Sequence, residues 1–130
     1  MNIIYIIFAP IPIHYANYLN IQNFKKIGFD VHICDVSSFF YSEDQKNAYF
    51  RTTAQFYKPS LEKVTIIKNF DQLNNYLNHF DNSNSIIYYT GRSFYKRYNE
   101  NKIFDLIYSY KYKIILSEFA TEFFPISLFE

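Results

Sequence analysis

The sequence predicts an α/β fold, a doubly wound parallel sheet of five strands in three layers (α/β/α). Three observations carry this. Short, mainly apolar runs recur at residues 3–8, 31–34, 64–67, 85–90 and 114–116, and the first of them has no polar alternation. Such runs fit strands buried on both faces. Segments of helical period lie between them, and Pro, Gly and capping signals mark the joints. Strands alternating with helices argue for parallel pairing through crossover connections.

The first run, Ile3-Ile4-Tyr5-Ile6-Ile7-Phe8, is β-branched and aromatic throughout. Ala9-Pro10-Ile11-Pro12 ends it, because proline lacks a ladder donor and fixes φ. A helix is expected from His14, with Ala16, Leu19, Phe24 and Ile27 on one inward stripe. Lys25 and Lys26 fall in its last turn, where cations favour the dipole. Gly28 stands where a C′ glycine belongs. Val31-His32-Ile33-Cys34 is the second strand.

Ser42-Glu43-Asp44-Gln45 matches a capping box. It opens a short helix with Phe50, Ala54 and Tyr57 on one stripe, ended by Lys58-Pro59. After the third strand, Asn69 caps a helix that carries Phe70, Leu73, Leu77 and Phe80 inward. Asp81-Asn82-Ser83-Asn84 is a loop by composition. The fourth strand leads into a turn at Gly91-Arg92-Ser93. A helix over 101–110 with Ile103, Phe104 and Ile107 inward then precedes the fifth strand. Right-handed crossovers leave few topologies, and strand order 3-2-1-4-5, a Rossmann-like half, is the expected one.

At 130 residues the chain is read as one domain. Its net charge of +1 supplies no field for nucleic acid, and no basic run is present. The aromatic share is 22%. Phe, Tyr, Ile, Asn and Lys all have AT-rich codons, so this share is discounted as a sign of aromatic-based binding. The one cysteine, Cys34, excludes an internal disulfide and reads as a small buried hydrophobe. The apolar amino terminus has no basic n-region and is broken by prolines, so it is neither a signal peptide nor a membrane span. A cytoplasmic chain is expected.

In open α/β sheets, ligands bind beyond the carboxyl ends of the strands where strand order reverses. Here that point lies between the first and fourth strands, flanked by residues 9–14 and 90–93. His14, at a helix start, is the catalytic candidate: the dipole holds it less protonated, which suits a general base. Thr90 and Ser93 flank Gly91, which would let backbone approach a ligand, and Arg92, which would grip an anionic group. An N-terminal polar residue and a plain turn are the ordinary alternatives.

The glycine patterns of dinucleotide and P-loop sites are absent, and no cofactor is expected. His14, His32 and His79 are scattered, so no metal site is expected. Glu118 and Glu122, four apart, read as a solvated helix face before paired acid–base groups. The aromatic connection Phe39-Phe40-Tyr41, Tyr49-Phe50 and Phe56-Tyr57 reads as core cover first and as membrane contact second.

On these residues the chain resembles the amino-terminal segment of GT-B glycosyltransferases of bacterial polysaccharide synthesis. Residues 4–36 carry the likeness. Pro10-Ile11-Pro12-Ile13-His14 is similar to that family's first turn and its histidine, and Gly28-Phe29-Asp30-Val31 to the step into its second strand. Ala9 and Pro10 stand where the family commonly has glycines. The resemblance implies an acceptor-side domain that binds a sugar acceptor, in some members lipid-linked, through Pro10, Pro12, His14 and the 90–93 turn. It further implies a nucleotide sugar held mostly by a second domain, and no transfer by this chain alone. A Rossmann-like binding or protein-interaction module without catalysis is the alternative. A receiver would need an acidic cluster after the first strand and an Asp ending the third, and a flavin site a Ser/Thr/Gly turn; Phe8-Ala9, Lys68-Asn69 and Ala-Pro-Ile-Pro supply none of these.

The last dozen residues crowd Phe119, Phe123, Phe124, Ile126, Leu128 and Phe129 together. Such a segment is too apolar to stay disordered. It is expected to dock on the sheet, on a second domain as part of a longer protein, or in a homodimer. Peripheral membrane contact is the further expectation.

Overall fold

The computed structural model describes residues 1–9, 11, 17–51, 63–91 and 98–116. Within them five strands form one sheet: β1 (Asn2–Ile7), β2 (Asp30–Asp35), β3 (Lys63–Ile66), β4 (Ser85–Tyr89) and β5 (Lys113–Leu116). The order is β3-β2-β1-β4-β5 and every pair is parallel. The α/β class, the Rossmann-like order and the parallel sense expected from the apolar runs are all present. Strand ends shift by one residue: Phe8 and Thr90 lie just past the ladders of β1 and β4.

The described helices are α1 (Ile21–Lys26), α2 (Glu43–Phe50), α3 (Phe70–His79) and α4 (Tyr98–Ser109). Both faces of the sheet are covered. On one face Ile4, Ile6, Cys34 and Ile87 pack against Leu73 and Leu77 of α3 and Ile103 and Ile107 of α4. On the other, Ile3, Tyr5 and Ile33 pack against Leu19 and Ile21. Each fully buried aliphatic side chain stabilises the fold by about 1.5–3 kcal/mol relative to exposure. A central strand with five buried positions in a row is therefore what anchors the sheet.

Local signals are realised atom by atom. In the capping box the Ser42 N–H donates to Gln45 Oε1 at 2.8 Å, and the Gln45 N–H donates to Ser42 Oγ at 3.2 Å. At α3 the Gln72 N–H donates to Asn69 Oδ1 at 2.9 Å. Gly28, at φ +96°, closes α1 in a Schellman motif. The Phe29 N–H reaches the Phe24 carbonyl and the Gly28 N–H the Lys25 carbonyl, both at 3.0 Å. The Phe24 and Phe29 rings meet edge to face at 5.1 Å, which supplies that motif's apolar contact.

One expected stripe is corrected. Asn20 sits in the left-handed region at φ 58° and separates the helical residues Asn17 and Tyr18 from α1, which begins at Ile21. Asn tolerates that region better than most side chains. The kink changes the phase of the stripe. Ile21 is 1% exposed and faces the core, whereas Ile27, expected inward, is 71% exposed. The next helical stripe is only partly visible: Phe50 ends α2, while Ala54, Tyr57 and the Lys58-Pro59 stop lie outside the described residues. The carboxyl-terminal segment with Glu118 and Glu122 lies outside them as well. Phe39 and Phe40 do pack on the core, against Phe70 at 4.8 Å and Phe8 at 5.5 Å, and Tyr41 is exposed. Among the described residues no helix is long and apolar enough to cross a membrane.

Candidate functional site

The order β2-β1-β4 places the reversal of the sheet between β1 and β4. Their carboxyl ends are tied together there. The Thr90 N–H donates to the Ile6 carbonyl at 3.2 Å, and the Thr90 hydroxyl donates to the same oxygen at 2.7 Å. Thr90 therefore has its proton engaged and keeps only its oxygen as an acceptor for anything outside. On the neighbouring side the Val36 N–H donates to the Ile7 carbonyl at 2.9 Å. These bonds extend the ladder one residue past the strands and fix the rim of the switch point.

Phe8 forms the aromatic wall of this rim. Its ring meets Phe40 at 5.5 Å and Tyr89 edge-on at 5.4 Å. Tyr89 is fully buried, and its hydroxyl makes no hydrogen bond among the described residues. Burial pushes its ionisation well above the ordinary phenol range, and the nearby Glu100 charge pushes it further in the same direction. Gly91 accommodates that ring. A Cβ built on Gly91 would lie 2.5 Å from a Tyr89 ring carbon and 2.6 Å from its hydroxyl. The room that the missing side chain leaves is thus used by Tyr89.

Two acidic groups stand near this end of the sheet. Asp35 closes β2 opposite Ile7, and its Oδ1 accepts the Ser37 N–H at 2.9 Å. Glu100, in the first turn of α4, is only 5% exposed. Neither was singled out from sequence as a site residue. Glu100 carried a legible signal: residues 100, 103 and 107 share helical spacing, so the inward stripe of Ile103 and Ile107 runs on to a carboxylate. Asp35 carried only its place at the end of a strand. Tyr89 carried none, being one more apolar position in a strand.

Of the sequence-chosen residues, the structure places Thr90 and Gly91 at the switch point. Pro10, Pro12, His14, Arg92 and Ser93 lie outside the described residues. Ile11, between the two prolines, is buried in the core face of α1. His32 lies in β2 with its Nε2 3.2 Å from Asn2 Oδ1 and 3.3 Å from Asp30 Oδ2, and His79 ends α3. Among the described residues no three His, Cys, Asp or Glu side chains converge as metal ligands.

Cys34 lies wholly inside the core. Burial, with Asp35 adding to it, pushes its thiol far above the ordinary range, so no thiolate nucleophile is available from it. The described rim therefore offers an aromatic wall, a threonine oxygen and carboxylates beside a sheet end. These are groups that can bind and orient a polar ligand. No family model, curated protein or solved structure matches this chain.

Proposed function

We propose that this chain is the acceptor-side, amino-terminal half of a GT-B-type glycosyltransferase and binds a sugar acceptor at the switch point between β1 and β4. The observation that carries the reading is the strand order. It brings the segment after β1 and the segment after β4 to one rim, where open α/β sheets take their ligands. The resemblance over residues 4–36 supports the choice of family. In this reading His14 serves as base or as a contact to an acceptor hydroxyl or donor phosphate, and Arg92 holds an anionic group. Thr90 and Ser93 contribute oxygens, and Pro10 and Pro12 shape the first turn. The nucleotide sugar is held with a second domain, so the isolated chain binds acceptor weakly and transfers nothing. The work is done in the cytoplasm, at the periphery of the inner membrane when the acceptor is lipid-linked, and a homodimer is one assembly that would cover the apolar carboxyl-terminal segment.

Two experiments test this. Thermal-shift screening of the chain against oligosaccharides and nucleotide sugars should raise the melting temperature with the former more than with the latter. In the two-domain enzyme, His14→Ala should lower turnover by about 10²–10⁴-fold if His14 is the base. Unchanged turnover would remove His14 from the mechanism.

A second reading is a Rossmann-like binding or interaction module without catalysis. The described part of the 90–91 turn favours it, since the Thr90 proton and the open space at Gly91 are both taken up internally. A chain that shifts with no sugar or nucleotide, yet pulls down one defined protein partner in stoichiometric amount, would establish it.

A further inference from the structure

A recess lies away from the switch point, between the flank of α3 and the edge strand β3, with a volume of about 620 Å³. Its floor is His32 of β2 and Thr65 of β3, and its wall is Tyr76 and Phe80. The Tyr76 and Phe80 rings meet edge to face at 5.2 Å, and Phe80 also touches the His32 and His79 rings, at 4.9 and 5.6 Å. Asn75 and Gln72 line the same recess from the helix.

The chemistry of this lining narrows the ligand. Among the described residues the lining contains no Lys, Arg, Asp or Glu. An anionic ligand would find no permanent cation in that lining, and the Asp30 carboxylate beside it already faces the His32 Nε2 at 3.3 Å. A purely apolar ligand would bury carboxamide, hydroxyl and imidazole groups without giving them partners. A neutral ring with one apolar face and several hydroxyls meets both demands: its face lies on the aromatic wall, and its hydroxyls reach Thr65, Asn75 and His79. These three side chains make no hydrogen bond to other described residues, so bonding a ligand breaks nothing inside the protein.

We propose that the recess between α3 and β3 is a binding subsite for one unit of a neutral saccharide. The proposal rests on the lining of the recess and does not require the switch-point reading. The exposed edge and water-facing amides make the site a weak one, with a Kd on the order of millimolar.

The test is an NMR titration of the ¹⁵N-labelled chain with three probes, namely maltotriose, cellotriose and the trimer of N-acetylglucosamine, with inorganic sulfate as an anionic control. At least one saccharide should move the amides of residues 65–67 and 72–80 in a saturable way, and sulfate should not. Asn75→Ala and His79→Ala, both at exposed helix positions that leave the core untouched, should each weaken that binding about fivefold, the loss of roughly one hydrogen bond. Absence of shifts at these amides with all three saccharides overturns the proposal. So does sulfate binding there, or saccharide binding that neither variant weakens. Shifts at Phe8, Ala9, Thr90 and Gly91 in the same spectra report the switch point separately, so either site can fail without the other.

Discussion

The ring of Tyr89 lies over Gly91 so closely that a methyl group there would sit 2.5 Å from a ring carbon. Both residues belong to the rim that β1 and β4 share, and Tyr89 cannot retreat, because Phe8 and Phe104 hold it edge-on at 5.4 and 5.2 Å. Gly91→Ala should therefore destabilise the chain by about 1–3 kcal/mol through overpacking. Urea unfolding followed by far-UV circular dichroism reads this directly. An unchanged midpoint would show that the ring swings aside at no cost.

The Tyr89 hydroxyl is buried without a partner among the described residues, as is that of Tyr76. Leaving such a group unbonded costs about 1–3 kcal/mol. Tyr89→Phe should thus be neutral or stabilising by about 1 kcal/mol at pH 7, where most large-to-small core changes cost stability. A loss above about 1 kcal/mol would mean that the hydroxyl has a partner after all.

Alkaline pH should unfold the protein. Burial raises the ionisation of Tyr76 and Tyr89 well above the ordinary range and pushes Tyr112 up to about 12. In the unfolded chain these phenols ionise at about 10. A group whose folded value is raised keeps its full contribution below the unfolded value and loses it as pH climbs toward the folded one. Stability should therefore begin to fall at about pH 8.5, where the Cys34 thiol that burial also raises would ionise in the unfolded chain, and fall more steeply above about pH 10 as the tyrosines add to it. Tyr89→Phe should make the fall shallower, and equal slopes in the two proteins would contradict the assignment to Tyr89.

Ile21 and Ile27 differ in burial, at 1% and 71% exposed. Ile21→Ala should cost about 2–5 kcal/mol and Ile27→Ala less than about 0.5 kcal/mol. Equal losses would restore the uninterrupted helical stripe that periodicity alone suggests.

Lys111 follows α4 at φ 59°, a left-handed position that costs a non-glycine residue about 1–2 kcal/mol. Lys111→Gly should raise stability by about 1 kcal/mol. A loss of stability would show that the lysine side chain contributes more than the backbone strain removes.

What the sequence made legible follows from which interactions are local. The strands and their order were readable because uninterrupted apolar runs such as Ile3-Ile4-Tyr5-Ile6-Ile7 specify burial on both faces. Ser42 with Gln45, Asn69 with Gln72, and Gly28 after Lys26 were readable because each cap is completed within a few residues. Ile27 was misplaced because a helical period assumes unbroken helix, and the left-handed turn at Asn20 resets the phase. At the switch point Thr90 and Gly91 were located by topology. The reason for Gly91 was not legible, since the ring over it arrives from the same strand by a rotamer choice that tertiary packing decides. Glu100 went unnoticed because the inward stripe was traced through apolar residues alone.

The central proposal is that a saccharide acceptor binds at the rim where the segments leaving β1 and β4 part. An NMR titration of the ¹⁵N-labelled chain with neutral and anionic oligosaccharides tests it most directly. Saturable shifts at the amides of Phe8, Ala9, Thr90 and Gly91, which sit together on the rim, are the predicted result. Spectra in which those four amides stay still with every oligosaccharide at its solubility limit would contradict it.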